Sequence, residues 1–382
     1  MPFSPHRLIY LDNNATTEPL PPVRAEMLEY LTTRWGNPSS AHAFGLEAKA
    51  GLDRARRTVA DLVGAEPGMV VFTGSATEAN NTAIQSAVQA NARKHRIVTC
   101  ATEHSAVISL AGALEKGGSE LIMVPPLASG VVNMTRLFEE MNENTAIVSI
   151  MWANNETGVI NPIAEIAALC RARNVPFHCD AVQAAGKVPI DLRAVPIDYL
   201  SLSAHKLHGP KGVGALIVSP EAKFFPMLYG GHQENDRRGG TENVPAIMGF
   251  AKAAGLAAAE LAARAAHVGA LRDRLESRIL AEVSGTVVHG RGAPRLPNTT
   301  NIGFSGIDSD TLVTLLDQAG VCVSSGSACL SDAVAPSHVI QAMTGSYQKA
   351  SEAIRFSLSH LNTAAEIERA ADAVKQAVDT IR

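Results

Sequence analysis

Seven short apolar runs, separated by stretches with helical spacing, constrain this chain's fold more than any other feature. They are Met69–Thr73, Arg96–Cys100, Glu120–Val124, Ala146–Trp152, Pro176–Asp180, Tyr199–Ser203 and Gly214–Val218. Most are rich in Val and Ile, the pattern of strands buried on both faces. Between several of them lie segments such as Ala76–Ala92 and Ala164–Arg173, whose apolar residues recur at helical spacing. The alternation predicts an α/β unit with a mostly parallel, seven-stranded central sheet.

From about Pro245 the texture changes. Ala246–Leu280 is Ala-rich, with Leu, Glu and Arg, and reads as one or two long helices. Thr286–Val288, Thr299–Phe304 and Val321–Val323 follow as strands, Asp310–Ala319 as a helix, and Ala364–Ile381 as a terminal helix. The 382 residues suffice for one large core or two lobes. The expected organisation is an N-terminal arm over 1–19 that returns to the second lobe. A large α/β domain spans 20–255, and a smaller α+β domain spans 256–382.

Composition removes several classes of function. Hydrophobic residues make up 46% and charged residues 18%, an ordinary globular balance. The net charge of −4, without a basic block, argues against a nucleic-acid partner held by bulk electrostatics. Met1 to Arg7 lacks the apolar core of a secretory signal, and no apolar run reads as long enough to span a bilayer. The cytoplasm is therefore the expected location. Five scattered cysteines, with no C-x-x-C spacing, do not form a disulfide framework. Four of them read as small buried hydrophobes, with Cys322 in the core between Val321 and Val323.

Ligand groups in open α/β sheets collect where strands end, and several polar residues sit at such ends. Asp180 closes Val175-Pro-Phe-His-Cys. A carboxylate there is costly unless donors or a cation pair with it. It serves either as a cap for a helix over Ala181–Ala185 or as the partner of a cofactor's protonated ring nitrogen. Lys206, in Ser203-Ala-His-Lys-Leu-His-Gly-Pro-Lys-Gly, is either a solvated loop charge or a lysine that binds a cofactor covalently. Gly74-Ser-Ala-Thr-Glu opens a helix after a strand. It is either a phosphate cradle using backbone N–H groups with Ser75 and Thr77, or a plain cap closed by Glu78.

His104 is either a satisfied buried histidine or a ring that stacks on a flat cofactor and moves protons. Arg355, in a strand-like run, is either an ion-pair partner or a bidentate carboxylate clamp. Cys329 lies in the small, polar loop Val323-Ser-Ser-Gly-Ser-Ala-Cys-Leu-Ser-Asp, where a thiol is exposed and reactive or merely tolerated. His205 and His208 are loosely spaced and lack a third ligand, so no metal site is expected.

These stretches, taken together, resemble the NifS/IscS cysteine desulfurases of the class V aminotransferases, most closely the NifS branch. The matching segments include Tyr10-Leu-Asp-Asn-Asn-Ala-Thr-Thr, Trp152-Ala-Asn-Asn-Glu-Thr-Gly, His178-Cys-Asp-Ala-Val-Gln-Ala, Ser203-Ala-His-Lys, Gly240-Thr-Glu-Asn-Val, Ser324-Ser-Gly-Ser-Ala-Cys and Ile354-Arg-Phe-Ser. The resemblance implies a homodimeric fold-type I enzyme that uses pyridoxal 5'-phosphate. Lys206 would attach the cofactor and Asp180 would face its ring nitrogen. His104 would stack on the ring, and Gln183 would meet its phenolic oxygen. Ala76, Thr77, Ser203 and His205 would hold the phosphate, with Thr241 of the partner subunit. Asn155, Arg355 and Asn13 would bind the substrate.

The implied activity converts L-cysteine to L-alanine and leaves the sulfur on Cys329 as a persulfide, destined for an acceptor such as an iron–sulfur scaffold. The alternatives are another lyase or aminotransferase of this cofactor, such as a selenocysteine lyase, or a sulfur donor for a different thiolation pathway. Two segments depart from the family's usual pattern. Asn235-Asp236 stands where Arg-Gly is usual, with Arg237 and Arg238 next, and Leu330-Ser-Asp-Ala-Val-Ala follows the cysteine.

Overall fold

The chain's structure, a computed structural model, describes residues 8–91, 93–325 and 336–382. Strand β1 (Ile9–Tyr10) opens the chain, and helices α1 (Pro21–Thr32) and α2 (Ala43–Leu62) follow. Proline at the start of α1 fits its first turn, where its missing N–H is not needed. Next come β2 (Val70–Thr73), α3 (Ala76–Gln89), β3 (Arg96–Cys100), α4 (Ser105–Lys116), β4 (Glu120–Val124), α5 (Met134–Glu140), β5 (Thr145–Ser149), α6 (Ile163–Ala172), β6 (Phe177–Asp180), β7 (Tyr199–Ser203) and β8 (Gly214–Val218).

The seven strands β2 to β8 make one sheet in the order β2-β8-β7-β6-β5-β3-β4. Only β8 runs against the others. The expected mostly parallel seven-stranded sheet is therefore present. Strands β2, β5, β6, β7 and β8 are buried at every position, as their unbroken apolar runs require.

Helix α7 (Val244–Glu282) is one continuous helix of 39 residues and crosses residue 255 without a break. Its residues up to Ala254 join the core around the large sheet. From Val268 onward they join a second core with Ile9, Leu11, Phe304 and Phe356. By length and composition α7 could cross a membrane, contrary to the expectation that no apolar run suffices; half of its most apolar stretch is buried within the fold. Alanine accounts for the difference: it raises hydropathy while offering a narrow face for close helix packing.

The second core is built on β9 (Thr286–Val288), β10 (Thr299–Phe304), α8 (Ser309–Gln318), β11 (Val321–Cys322), α9 (His338–Thr344), α10 (Tyr347–Ser351), β12 (Ala353–Ser357) and α11 (Ala364–Ile381). Strand β10 pairs antiparallel with both β9 and β12. The N-terminal arm joins this half, since β1 pairs in parallel with β11 and Asp12 bridges to Ser357. Helix α11 begins with a complete capping box, Thr363 and Glu366 each satisfying the other's backbone N–H.

Candidate active site

Strands β3, β5, β6 and β7 end at the same edge of the sheet, and the polar residues at their ends meet there. Asp180 is buried at the end of β6. Its Oδ2 accepts from Asn80 Nδ2 at 2.7 Å, and its Oδ1 accepts from the Val182 N–H at 3.0 Å. No helix forms over Ala181–Ala185; the segment is a run of turns, so Asp180 caps a turn. Among the described residues no basic side chain forms a salt bridge with this carboxylate.

Lys206 closes a single 3-10 turn, Ala204–Lys206, directly after β7. Its Nζ donates to the carbonyls of Asn14 at 2.5 Å and Ala15 at 2.7 Å. The arm is fastened along this segment: the Thr17 N–H and hydroxyl both donate to the His205 carbonyl, and the His208 N–H donates to Thr17 Oγ1. His205 Nδ1 lies 3.2 Å from Thr16 Oγ1. Burial, with Lys206 and Lys211 nearby, pushes its imidazole down to about 4.

His104 caps α4, its Nδ1 accepting from the Ala106 N–H at 3.1 Å. That bond leaves the neutral ring's proton on Nε2. Burial lowers its pKa; Asp180 opposes the shift, and Lys206 and His338 add to it. Gln183 donates from Nε2 to the Asn14 carbonyl at 3.0 Å, while its Oε1 accepts from Lys187 at 2.8 Å.

Helix α3 begins with Ala76 and Thr77 in its first turn. Ser75 Oγ accepts from the Glu78 N–H at 3.2 Å, so Ser75 is the cap. Glu78 reaches back to the Gly74 N–H at 2.7 Å and pairs with Arg238 at 3.0 Å. A side chain at Gly214 would meet the Ser75 carbonyl carbon at 2.7 Å and the Ala76 nitrogen at 2.9 Å. The bare glycine therefore lets β8 start against this helix end. Ser203 is buried beside it at the end of β7, and Thr241 is exposed in the loop before α7.

The Asn155 carbonyl accepts from Asn14 Nδ2 at 3.0 Å and from Arg355 Nη1 at 3.3 Å. Arg355 Nη2 also binds Asp12 at 2.6 Å, and its buried Nε has no hydrogen-bond partner among the described residues. Asn13 donates to the carbonyls of Tyr10 and Ser357. Cys329 lies outside the described residues. Cys322, expected in the core, is only partly buried, because its two-residue strand pairs with the arm. Burial and the nearby Asp317 and Asp12 raise its thiol pKa.

This geometry has close relatives. The aminotransferase class-V family model matches residues 9–370. A cysteine desulfurase of Cereibacter sphaeroides is 47% identical over 98% of this chain and 96% of its own. A solved NifS-like protein superposes with a TM-score of 0.92 at 36% identity, over 98% of this chain and 100% of its own. SspA, solved in complex with cysteine, gives 0.81 at 31% identity, over 93% and 99%. The chain belongs to the aminotransferase class-V family.

Its cofactor is pyridoxal 5'-phosphate, and the residues present fit that group. Asp180 is a buried carboxyl group with no salt bridge among the described residues, which suits a protonated ring nitrogen. The first turn of α3 presents backbone N–H groups to an anion, beside Ser203 and His205. Lys206 lies at the same edge, its Nζ held by the carbonyls of Asn14 and Ala15.

Four residues of this site escaped the reading of the sequence. Asn14 joins the arm to both halves, contacting Asn155, Lys187, Asn298 and Thr299. Its signal was the doubled asparagine, of which only Asn13 was singled out. Asn80 holds Asp180 from one turn inside α3, at the spacing from Ala76 that shares a helix face. Glu103 is buried next to His104 and accepts from the Met151 N–H at 2.6 Å. Burial drives its carboxyl well above the usual range. Lys187 had no signal beyond a lysine in an apolar neighbourhood.

The segment that departs from the family pattern is a tight turn. Glu234, Asn235 and Asp236 all have positive φ, at 50°, 57° and 64°. Asn and Asp tolerate that region better than most residues. Buried Glu234 holds the turn through a two-pronged bond with Arg56, at 2.7 and 2.6 Å. Arg237 donates to the carbonyls of Gly68 and Val70, so the extra positive charge is committed to packing.

Proposed function

We propose that this protein is a cysteine desulfurase that converts L-cysteine to L-alanine and receives the sulfur on Cys329. The observation that carries the reading is the convergence of Asp180, His104 and Lys206 on one sheet edge, with the helix-α3 cradle beside them. The names of the similar proteins, including a structure that holds cysteine, supply the substrate.

The bound cofactor supplies an electron sink for bond breaking at the substrate's carbons. Asp180 holds the proton at the ring nitrogen. Lys206 takes the substrate's α-proton at Nζ and returns a proton to the product. His104, with its ring proton on Nε2, is the proton-exchanging group beside the ring, and its lowered pKa keeps it neutral and able to accept a proton. Arg355 Nε offers an uncommitted donor to the substrate carboxylate, next to Asn155 and Asn13. The Cys329 thiolate attacks the substrate sulfur, the carbon–sulfur bond breaks, and the sulfur stays on Cys329 as a persulfide. An acceptor such as an iron–sulfur scaffold then takes it.

The working unit is a homodimer, with Thr241 of the partner subunit completing the phosphate site. An exposed apolar stripe on α1 supports this assembly. The protein works in the cytoplasm, a reading supported by the free thiols of Cys100, Cys170 and Cys179.

Alanine formed per enzyme, measured with a thiol reductant present, tests the reading. The wild type turns over many times. Lys206→Ala loses the visible band of the bound cofactor, whereas Cys329→Ala keeps the band and forms no persulfide. Undiminished sulfide release by Cys329→Ala would instead assign a lyase.

A further inference from the structure

Lys187 is a second amine beside Lys206, and the reaction described above gives it no task. It lies in the turns between β6 and β7, four residues beyond Gln183. Its Nζ donates to Asn14 Oδ1 at 3.0 Å and to Gln183 Oε1 at 2.8 Å. Lys206 donates to the main-chain carbonyl of the same Asn14, and Gln183 Nε2 donates there too. One residue of the arm thus receives both lysines. The two lysines also border one cavity of about 50 Å³.

The arrangement fixes two amide orientations. The Lys187 amine carries N–H donors for two acceptors in either protonation state. It donates to Gln183 Oε1, which leaves Nε2 as that amide's donor, one of its protons going to the Asn14 carbonyl. In the same way it takes Asn14 Oδ1, together with Asn298, and leaves Asn14 Nδ2 for the Asn155 carbonyl. A flipped amide at either position would set acceptor against acceptor.

The titratable groups around Lys187 are all bases. Lys206 and His208 face it from the segment after β7, Arg355 from β12, Arg264 from α7 and His360 from the turn beyond β12. The nearby carboxylate of Asp12 is paired with Arg355. No carboxylate borders the cavity among the described residues. Burial, with Lys206 and Arg355 nearby, holds the Lys187 amine well below the usual lysine range.

We propose that Lys187 is a positioning residue for Lys206 and Gln183: it fixes the side chain of Asn14, whose main-chain carbonyl receives Lys206, and it orients the Gln183 amide that meets the cofactor. The proposal rests on the pyridoxal-phosphate reading of the site. Loss of the Lys187 donors frees the Gln183 amide and takes a hydrogen bond away from the cofactor's oxygen. The protonated form of the bound chromophore is then favoured.

The test is a pH titration of the visible band in purified wild type, Lys187→Met and Lys187→Arg, with cofactor affinity measured on the apoenzymes. In Lys187→Met the titration midpoint moves up by about one pH unit and the cofactor Kd rises about tenfold, the effect of a lost buried hydrogen bond. Lys187→Arg keeps donors at this position and recovers at least half of the shift. An unchanged midpoint and Kd in Lys187→Met overturn the proposal, whatever happens to the melting temperature. Should that variant not fold, Gln183→Leu removes the amide that Lys187 orients and must give the same upward shift; an unchanged midpoint there overturns the proposal as well. A wild type with no cofactor-dependent band would refute the pyridoxal-phosphate reading itself.

Discussion

His178 shows how a single side chain couples this sheet to pH. It lies fully buried in β6, two residues before Asp180, with its ring nitrogens 2.8 Å from Ser149 Oγ and 3.0 Å from Ser201 Oγ. Burial pushes its imidazole down to about 4. An unfolded histidine titrates near ~6.5. Between these two values the unfolded chain binds a proton that the folded one refuses. The stability His178 contributes is therefore complete above the unfolded value and is lost as pH falls toward the folded one, by up to about 3 kcal/mol. His205, His208, His289 and His360 act in the same direction. Glu103 has the opposite sign: its raised carboxyl favours folding below its ordinary range and loses that contribution as pH rises. His178→Gln keeps partners for both serines but cannot be charged. Chemical denaturation at pH 7 and pH 4.5 should show this variant losing less stability on acidification than the wild type. An equal loss would place the acid sensitivity elsewhere. Placement at this scale was legible where residue type and strand end coincided, as at Asp180, Lys206 and His104. It was not legible at Asn14 or Lys187, whose meaning depends on the arm returning across the sheet edge.

Elements were easier to read than their ends. Strands β3, β4, β7 and β8 occupy the expected residues, because each apolar run stops where its backbone leaves the ladder. Strand β5 ends at Ser149, although its apolar run continues to Trp152. Ile150, Met151 and Trp152 stay buried beyond it. On the β6 side the Ile150 and Trp152 N–H groups still donate to the His178 and Asp180 carbonyls, whereas on the other side the Met151 N–H goes to the Glu103 side chain. An apolar pattern reports burial and does not show that pairing ends on one side first. Met69 falls into a 3-10 turn that Pro67 starts. The junction of β8 and α3 gives a prediction for elements. In Gly214→Ala the new methyl would meet backbone atoms that cannot rotate away. The expected cost is about 1–3 kcal/mol of stability, with weaker binding of the cofactor's phosphate. Gly112→Ala, in α4 where nothing lies within 4 Å, is the control. It should stabilise the protein by up to about 1 kcal/mol. Thermal melts and cofactor titrations of the pair check both signs. Equal effects at the two sites would mean that the close approach at Gly214 is not a constraint.

At the scale of the whole molecule, two cores share one helix and one arm. Helix α7 enters the first core through Phe250 and Ala254 and the second through Leu271 and Leu275. The arm crosses from β11 to Lys206 and ties the site to both. A change of texture near Pro245 was visible in the sequence, whereas a helix continuous through the change was not, because alanine suits either core. Among the outward apolar side chains is a stripe on α1: Leu28, Leu31 and, just beyond the helix, Trp35 are exposed by 57%, 59% and 69%. Leu28 and Leu31 share one helix face, and Trp35 stacks edge-on with Phe44 at 5.0 Å. Three large apolar side chains on one outward stripe need a cover. In the proposed homodimer the cover is a second copy of this chain. The double variant Leu28→Glu, Leu31→Glu should sediment at the mass of one chain where the wild type sediments at two. Its circular dichroism should stay unchanged, since neither side chain supports a core. Its cofactor affinity should also fall, because Thr241 would no longer be supplied by the partner subunit. A variant that keeps the dimer mass would place the interface elsewhere. One that becomes monomeric with full cofactor affinity would show that each subunit completes its own phosphate site.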